Sequence, residues 1–292
     1  MKKLISILAC CIACFAVAAT SRAEDQQEES GAPLNILFIG NSFTFYNSLN
    51  GTVEDMLNVS GVPATATRSA PGGWRLRQHF NGEIPSKYQG APTPDAIRSK
   101  KWDVVVLQEQ SAGSVDARAE FLEYGKKLVD LIREQNPDVR ILLYQTWGRC
   151  DGMFEGYGED DARKAEVLDA WTKRYSAPDD ATVEALKDGI QGGYAKLAEL
   201  TGARVAPVGK AFFTVGDKLD LYSDEGDKKP FHPNPLGTYL AGCVFYKMIV
   251  GQSPVGLYQR LKDAGKKYKL TQAEAEELEK IADQTMETLA AE

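Results

Sequence analysis

The sequence has 292 residues, a formal net charge of −7 and 43% hydrophobic residues, which is enough for one large domain with a full core. No basic cluster offsets the acidic balance, so nucleic-acid binding is not expected. With only two histidines, His79 and His232, and no cluster of cysteines beside them, the chain offers a poor zinc site, and we predict neither a metal nor another cofactor.

The N-terminal segment has the features of a secretory signal peptide. Lys2 and Lys3 precede an apolar run from Leu4 to Ala19, and Ser21-Arg22-Ala23 offers a small-x-small cleavage site. The run is too short for a spanning helix and polar sequence follows it, so no membrane span is expected in the mature chain. Residues 1–23 are therefore predicted to direct export, which implies a periplasmic or extracellular location.

The cysteines leave two questions open. Acylation of Cys10, Cys11 or Cys14 as a lipoprotein is the less favoured alternative, because the apolar run before each is short. Export permits a disulfide between Cys150 and Cys243. Two unpaired buried thiols are favoured, since one cysteine follows a predicted strand and the other lies within a predicted helix. The oligomeric state is not indicated.

The mature chain begins with a polar lead-in. Removal of residues 1–23 takes away three cationic side chains and moves the net charge from −7 to about −10. Residues 24–33 are acidic and polar, which predicts disorder. The first apolar run then predicts a buried strand at 36–39, because both of its faces are apolar and the run is short.

Strands and helices alternate along the remaining chain. In order, the pattern predicts a helix at 49–59, a weak strand at 63–68, helical turns at 75–80, a strand at 102–107, a helix at 117–134 and a strand at 139–144. An irregular insertion at about 150–181 follows, then a helix at 182–200, a short strand at 203–208, a polar loop at 219–231, a helix at 233–250 and a final helix from a capping box at 271–274 to about 290. This alternation predicts one α/β domain over residues 34–292, with a mostly parallel sheet and helices on both faces.

Polar residues occur where several of these strands end. Ser42 follows the first strand after Gly40, Gly72-Gly73 lies in a turn, and the polar run Gln108 to Ser111 ends the strand at 102–107. Ligands of open α/β sheets bind at the carboxyl edge of the strands. A serine at that edge can act as a nucleophile if a histidine takes its proton, and His232 is the candidate base. His79 is expected on the surface of its short helix, with a substrate contact as the less favoured alternative.

These stretches resemble the conserved blocks of the SGNH hydrolases, the GDSL esterase and lipase superfamily. Gly40-Asn41-Ser42-Phe43 resembles the Gly-Asp-Ser-Leu block, Gly72-Gly73 the glycine of the second block, and Gln108-Glu109-Gln110-Ser111 the Gly-x-Asn-Asp block. His232-Pro233-Asn234 resembles the Asp-x-x-His block that precedes a helix. The order and separation match across nearly all of the mature chain, which implies a flavodoxin-like, three-layer α/β/α sandwich.

The resemblance also implies roles for individual residues. Ser42 would be the nucleophile and His232 the base. The backbone N–H groups of Ser42 and Gly73 and the side-chain amide of Gln110 would form an oxyanion hole. Substrate contacts are expected from residues beside these positions and from aromatic residues at the sheet edge, namely Asn41, Gly72, Trp74 and Trp147. The indoles have an alternative role in the core.

Three positions depart from the family pattern. Asn41 replaces the aspartate beside the nucleophile, and Gln110 replaces an asparagine, which puts its amide one methylene further out. Lys229 stands three residues before His232, where the family has its catalytic aspartate. The loop before His232 therefore carries an apparent insertion, and the acid of the triad is Asp227 or Asp224, with Asp227 slightly favoured.

The leading functional hypothesis is a secreted serine esterase that removes acyl groups, acetyl in particular, from carbohydrate. The alternatives are a lipase or thioesterase acting on acyl chains, and a non-catalytic binding protein that retains the fold. No extended apolar run suggests an acyl channel, which favours the first hypothesis over the second. The expected ligand is a small-molecule or carbohydrate ester.

Overall fold

The computed structural model describes residues 32–148, 180–223 and 231–291, together with Ala165 and Asp169. A parallel five-stranded sheet with strand order β2-β1-β3-β4-β5 lies at its centre. The strands are β1 (Leu34–Ile39), β2 (Ala64–Ser69), β3 (Val104–Leu107), β4 (Arg140–Tyr144) and β5 (Arg204–Ala206). In the register, Leu37 of β1 lies opposite Thr67 of β2 and Val105 of β3. The predicted parallel α/β fold is confirmed.

Helices cover both faces of the sheet. In chain order they are α1 (Ser42–Phe45), α2 (Leu49–Asn58), α3 (Leu76–Phe80), α4 (Thr93–Arg98), α5 (Gly113–Asp116), α6 (Arg118–Gln135), α7 (Asp180–Thr201), α8 (Val208–Val215), α9 (Pro235–Val250), α10 (Leu257–Asp263) and α11 (Gln272–Ala291). Helices α2 and α8 to α11 contribute to the core on one face, and α3 to α7 contribute to the core on the other.

The alternation of side chains along β1 explains why both of its faces are apolar. Ile36 and Phe38 point into one core, and Leu37 and Ile39 point into the other. Helix α9 is buried around most of its circumference, because it packs against α2, α8 and α11 as well as the sheet. The sheet is therefore enclosed, and only its edges are open to a ligand.

Two of the predicted secondary-structure elements differ from those observed in the structure. The strand predicted at 203–208 stops at Ala206, because Pro207 has no N–H to donate to the sheet, and Val208 already begins α8. Helix α7 is interrupted at Gly189, which has a φ of 58°. Neither α8 nor the short helix α10 was predicted from the sequence.

Several predicted features fall outside the described residues. These are the signal peptide at 1–23, the lead-in as far as residue 31, most of the insertion at 150–181, and Cys150. Cys243 is a buried thiol within α9. In the described ranges, no helix combines the length and apolarity needed to cross a membrane.

Candidate active site

The site is built around a hydrogen bond between two residues that are far apart in the sequence. The Nε2 atom of His232 lies 2.9 Å from the Oγ atom of Ser42. Ser42 is the first residue of α1, just beyond the carboxyl end of β1, and His232 lies three residues before α9. The structure thus brings together the predicted nucleophile and the predicted base at the carboxyl edge of the sheet.

Gln108 and Asn41 hold the turn that carries Ser42. The buried Gln108 side chain accepts hydrogen bonds from the Asn41 N–H and the Thr44 hydroxyl, both at 2.9 Å, and donates to Asn41 Oδ1 at 3.0 Å. A Cβ atom at Gly40 would collide with the Gln108 side chain, so the turn requires glycine at this position. Asn41 also donates through Nδ2 to the Trp74 carbonyl at 2.8 Å and accepts from the Phe43 N–H, as the N-cap of α1.

His79 supports the same turn from the protein interior, and the prediction of a surface position is wrong. Its side chain is fully buried, with Nε2 donating to the Gly40 carbonyl at 2.8 Å. A carbonyl only accepts, so the neutral ring carries its proton on Nε2, and Nδ1 accepts from the Thr93 hydroxyl at 2.7 Å. Burial lowers the pKa of His79 to about 4, although the hydrogen bond to Gly40 opposes this shift. His79 is therefore a neutral structural residue.

The segment around His232 is anchored through its backbone. The His232 carbonyl accepts from the Ser223 N–H at 2.9 Å, and the Asn234 N–H donates to the Leu221 carbonyl at 2.9 Å. The side chain of Asn234 caps α9 by accepting from the N–H groups of Leu236 and Gly237. Hydrogen bonds to Leu221 and Ser223 and the start of α9 thus fix the backbone on either side of His232.

Asn47 connects this segment to the nucleophile segment. Its Nδ2 atom donates to the Pro233 carbonyl at 2.9 Å and to the Thr238 hydroxyl at 3.1 Å. Asn47 has a φ of 48°, a left-handed conformation that asparagine tolerates better than most residues. Asn47 was not among the predicted site residues, because an asparagine between two helical segments is a weak signal for such a role.

Aromatic rings surround the imidazole of His232. The Tyr46 ring stacks on it with a centroid distance of 4.3 Å and an angle of 4° between the planes. Phe231 lies 4.1 Å away in a tilted arrangement, and Phe43 approaches edge-on at 5.7 Å. These aromatic residues lie beside Ser42 and His232 in the sequence, but no role was predicted for them.

A pocket of about 340 Å³ opens beside Ser42 and His232. It is lined by Asn41, Ser42, Phe43, Phe45, Tyr46, Gly72, Gly73, Gln110, Ser111, Phe231 and His232. The predicted oxyanion-hole residues therefore meet at one pocket. No hydrogen bond within the described residues uses the N–H of Ser42 or of Gly73, and Gly73 has a φ of 72°, which favours glycine there.

Gln110 reaches the pocket with its side-chain amide already engaged. Its Nε2 atom donates to Ser111 Oγ at 3.0 Å, and its Oε1 atom accepts from the Ala112 N–H at 3.2 Å. An amide nitrogen carries two hydrogens, so the contact with Ser111 leaves one for another acceptor. Gln110 can thus serve as a third donor, in an orientation set by Ser111 and Ala112.

Glu109 is a buried carboxylate next to the pocket. It accepts hydrogen bonds from the N–H groups of Leu76 at 3.0 Å and Gln110 at 2.8 Å. Burial raises the pKa of Glu109 to about 7, against these two hydrogen bonds and the nearby charge of Arg75, which lower it. Arg75 itself forms a two-pronged ion pair with Asp116. Glu109 belongs to the motif Gln108-Glu109-Gln110-Ser111, but no role was predicted for it from the sequence.

Two predicted substrate contacts lie in the core instead. Trp147 is 3% exposed, stacks between Phe43 and Phe212, and donates through Nε1 to the Phe231 carbonyl. Trp74 is buried and packs edge-on against His79. Neither indole lines the pocket, so the prediction that they contact substrate is not supported by the positions of their side chains. Trp147 supports the pocket from behind.

The candidate acids Asp227 and Asp224, and Lys229, lie outside the described residues. Within the described part of the chain, no group of three or more His, Cys, Asp or Glu side chains is placed to hold a metal ion.

Comparison with solved structures identifies the class of fold. A protein from Slackia heliotrinireducens described as a candidate SGNH hydrolase is 24% identical, with a TM-score of 0.53, over 75% of this chain and 100% of that chain. A DUF4886 family protein from Bacteroides uniformis is 16% identical, with a TM-score of 0.60, over 87% of this chain and 95% of that chain. No protein-family model and no curated protein matches the chain. The fold is that of the SGNH hydrolases, as the motifs in the sequence predicted.

Proposed function

We propose that this protein is an exported serine esterase that removes short acyl groups, acetyl in particular, from carbohydrate. The observation that carries the proposal is the 2.9 Å hydrogen bond between Ser42 and His232 at an open pocket. A serine hydroxyl becomes nucleophilic when a neighbouring imidazole takes its proton, and this arrangement is the minimum that acyl transfer needs.

The residues around the pocket suggest the course of the reaction. Ser42 Oγ attacks the ester carbonyl while His232 Nε2 takes the hydroxyl proton. The N–H groups of Ser42 and Gly73 and the amide of Gln110 stabilise the oxyanion that forms. His232 then gives its proton to the departing alcohol, leaving an acyl group on Ser42. Water, activated by the same imidazole, hydrolyses that acyl-enzyme.

The aromatic lining of the pocket supports a carbohydrate as the alcohol part of the ester. The pocket, of about 340 Å³, is lined in part by the partly exposed rings of Phe45, Tyr46 and Phe231. Aromatic faces of this kind stack on the apolar faces of sugar rings.

The test compares the wild type with Ser42→Ala on p-nitrophenyl esters of increasing chain length. The proposal expects hydrolysis of the acetyl ester to fall by at least about a thousandfold in Ser42→Ala, because the nucleophile is gone. Ser99→Ala, which changes an exposed serine at the end of α4, is the matched control and should keep wild-type activity.

Two further measurements make the result decisive. A fluorophosphonate should label the wild type on Ser42 and should not label Ser42→Ala. Release of acetate from acetylated polysaccharides then identifies the alcohol side of the substrate. A wild type that neither hydrolyses any ester nor takes the label would instead indicate a non-catalytic binding protein, and a preference for octanoyl over acetyl esters would indicate a lipase.

A further inference from the structure

Glu109 joins the two loops that carry the proposed oxyanion donors. One carboxylate oxygen, Oε2, accepts from the N–H of Leu76, at the start of α3 and three residues after Gly73. The other, Oε1, accepts from the N–H of Gln110. The two loops are separated by more than thirty residues in the sequence. Glu109, which belongs to the second loop, therefore bonds to the backbone of both loops at once.

The surroundings of Glu109 hold its carboxylate in one orientation. The side chain is 2% exposed, and a Cβ atom at Gly113 would collide with its carboxylate. The Glu109 N–H donates to the hydroxyl of Tyr194 at 3.2 Å. Arg75 and Asp116, which form an ion pair with each other, are the charged groups whose fields reach Glu109. The carboxylate has little freedom to move away from the two N–H groups.

A buried carboxylate needs an explanation, because an apolar residue at the same place would avoid the cost of removing a charge from water. Glu109 is not among the residues that line the pocket, so the proposed reaction gives it no chemical part. Both of its carboxylate oxygens accept from backbone N–H groups of the oxyanion loops.

On the basis of the function proposed above, we infer that Glu109 is a positioning residue, which fixes the Gly73 loop against the Gln110 loop so that their donors point to one oxyanion. A displacement of one or both loops would weaken stabilisation of the tetrahedral intermediate. Substrate binding in the ground state would change little, because Glu109 lies behind the pocket wall. The expected consequence is a loss in kcat rather than in KM.

Glu109→Gln is the main test. The glutamine keeps the size of the side chain and one acceptor oxygen, but it turns an NH₂ group towards an N–H donor. On a p-nitrophenyl acetate assay we expect kcat to fall about ten- to a hundredfold, a part of the effect of losing a whole oxyanion donor, with KM within about twofold. Inhibition by phenylboronic acid, which forms a tetrahedral adduct with the serine, should weaken by a similar factor.

Glu279 provides a matched control. It is also a fully buried glutamate that accepts from two backbone N–H groups, those of Gly256 and Tyr258, and it lies on α11 away from the pocket. Glu279→Gln should lower the melting temperature but leave kcat and boronate inhibition unchanged. An equal loss of kcat in both variants would show a general effect of disturbing buried carboxylates and would overturn the inference.

A second variant acts on the carboxylate from the opposite side. Gly113→Ala adds a methyl group that must displace the Glu109 carboxylate, and it should reproduce the kcat loss without changing Glu109 itself. Wild-type kcat and boronate inhibition in a folded Glu109→Gln or Gly113→Ala protein would overturn the inference. If neither variant folds, Glu109 serves folding and the inference also fails. A wild type without activity or fluorophosphonate labelling would instead overturn the proposed function.

Discussion

The ring of Tyr46 lies parallel to the imidazole of His232, with 4.3 Å between the centroids and 4° between the planes. Tyr46 follows α1 directly, so the helix that begins with Ser42 also delivers the ring that covers the base. An aromatic face stabilises a cation placed over it by about 0.5–2 kcal/mol. We therefore expect Tyr46 to favour the imidazolium that forms when His232 takes the proton of Ser42.

Replacing the Tyr46 ring should shift the pH profile of the esterase. In the wild type, activity should rise with pH through an apparent pKa near that of free imidazole, about 6.5, because only the neutral base acts. Tyr46→Leu should lower kcat and move this apparent pKa down by up to about one pH unit. Tyr46→Phe should keep the wild-type profile. Identical profiles for the leucine and phenylalanine variants would show that stacking has no influence on the base.

The acid of the triad stays a prediction, because Asp227 and Asp224 lie outside the described residues. A carboxylate holds the imidazole in the right tautomer, and its loss can lower kcat by about ten-thousandfold. We expect one of Asp227→Asn and Asp224→Asn to lose several orders of magnitude in kcat with little change in KM, and the other to lose little. Near wild-type activity in both variants would indicate a Ser-His dyad or an acid from elsewhere in the chain.

The buried His79 should make stability depend on pH. Its pKa is about 4 in the folded protein, against about 6.5 when unfolded, so between these values the unfolded state binds more protons. The stabilisation is fully present above pH 6.5 and is lost as the pH falls towards 4, by up to about 3 kcal/mol. Urea unfolding of the wild type and of His79→Gln between pH 4 and 7.5 measures this contribution. The difference in the free energy of unfolding between the two proteins should shrink as the pH falls.

Glu109 makes the free energy of unfolding depend on pH in the opposite direction. The informative quantity is therefore the difference in this free energy between the wild type and His79→Gln. The raised pKa of Glu109, about 7, means that its contribution to stability is present below pH 4.5 and is lost as the pH rises through 7. The wild-type curve alone therefore combines two terms of opposite sign. A difference between wild type and His79→Gln that stays constant with pH would contradict the assignment of a neutral buried His79.

Asn47 should matter to catalysis through its hydrogen bonds to Pro233 and Thr238. Asn47→Gly keeps access to the positive φ but loses both bonds, and Asn47→Ala loses the bonds and adds about 1 kcal/mol of backbone strain. Both variants should lower kcat by loosening the segment that carries His232, and the alanine variant should also melt at a lower temperature than the glycine variant.

The control for Asn47 is a similar asparagine away from the site. Asn58 bonds through its side chain to both the N–H and the carbonyl of Ala64, at the start of β2. Asn58→Ala should reduce stability without reducing kcat. If kcat in the Asn47 variants equals that of the wild type while their melting temperatures fall, the link between the two segments is structural only.

The sequence alone determined the class of fold and the two central residues of the site. Short apolar runs such as 36–39 and 102–107 predict buried strands, because in a parallel sheet both faces of a strand are covered. The turns that follow these strands lie at one edge of the sheet, and this rule placed Ser42, Gly73 and Gln110 together before any contact was known. These are local patterns, so they are visible without the tertiary structure.

The tertiary structure decided which neighbouring side chains face the pocket. Periodicity indicated that His79 is exposed, but its burial depends on contacts with Gly40 and Thr93. The sequence likewise could not decide whether Trp147 lies in the core or contacts substrate, because its burial depends on stacking against Phe43 and Phe212.

The role of Glu109 likewise follows from hydrogen bonds to N–H groups in two different loops, and that of Tyr46 from its stacking on a histidine 186 positions further along the chain. The bond from the Leu76 N–H to Glu109 and the stacking of Tyr46 on His232 form only when the sheet brings the ends of its strands together. Local sequence patterns specify which residues reach that edge, and only long-range packing specifies how their side chains meet there.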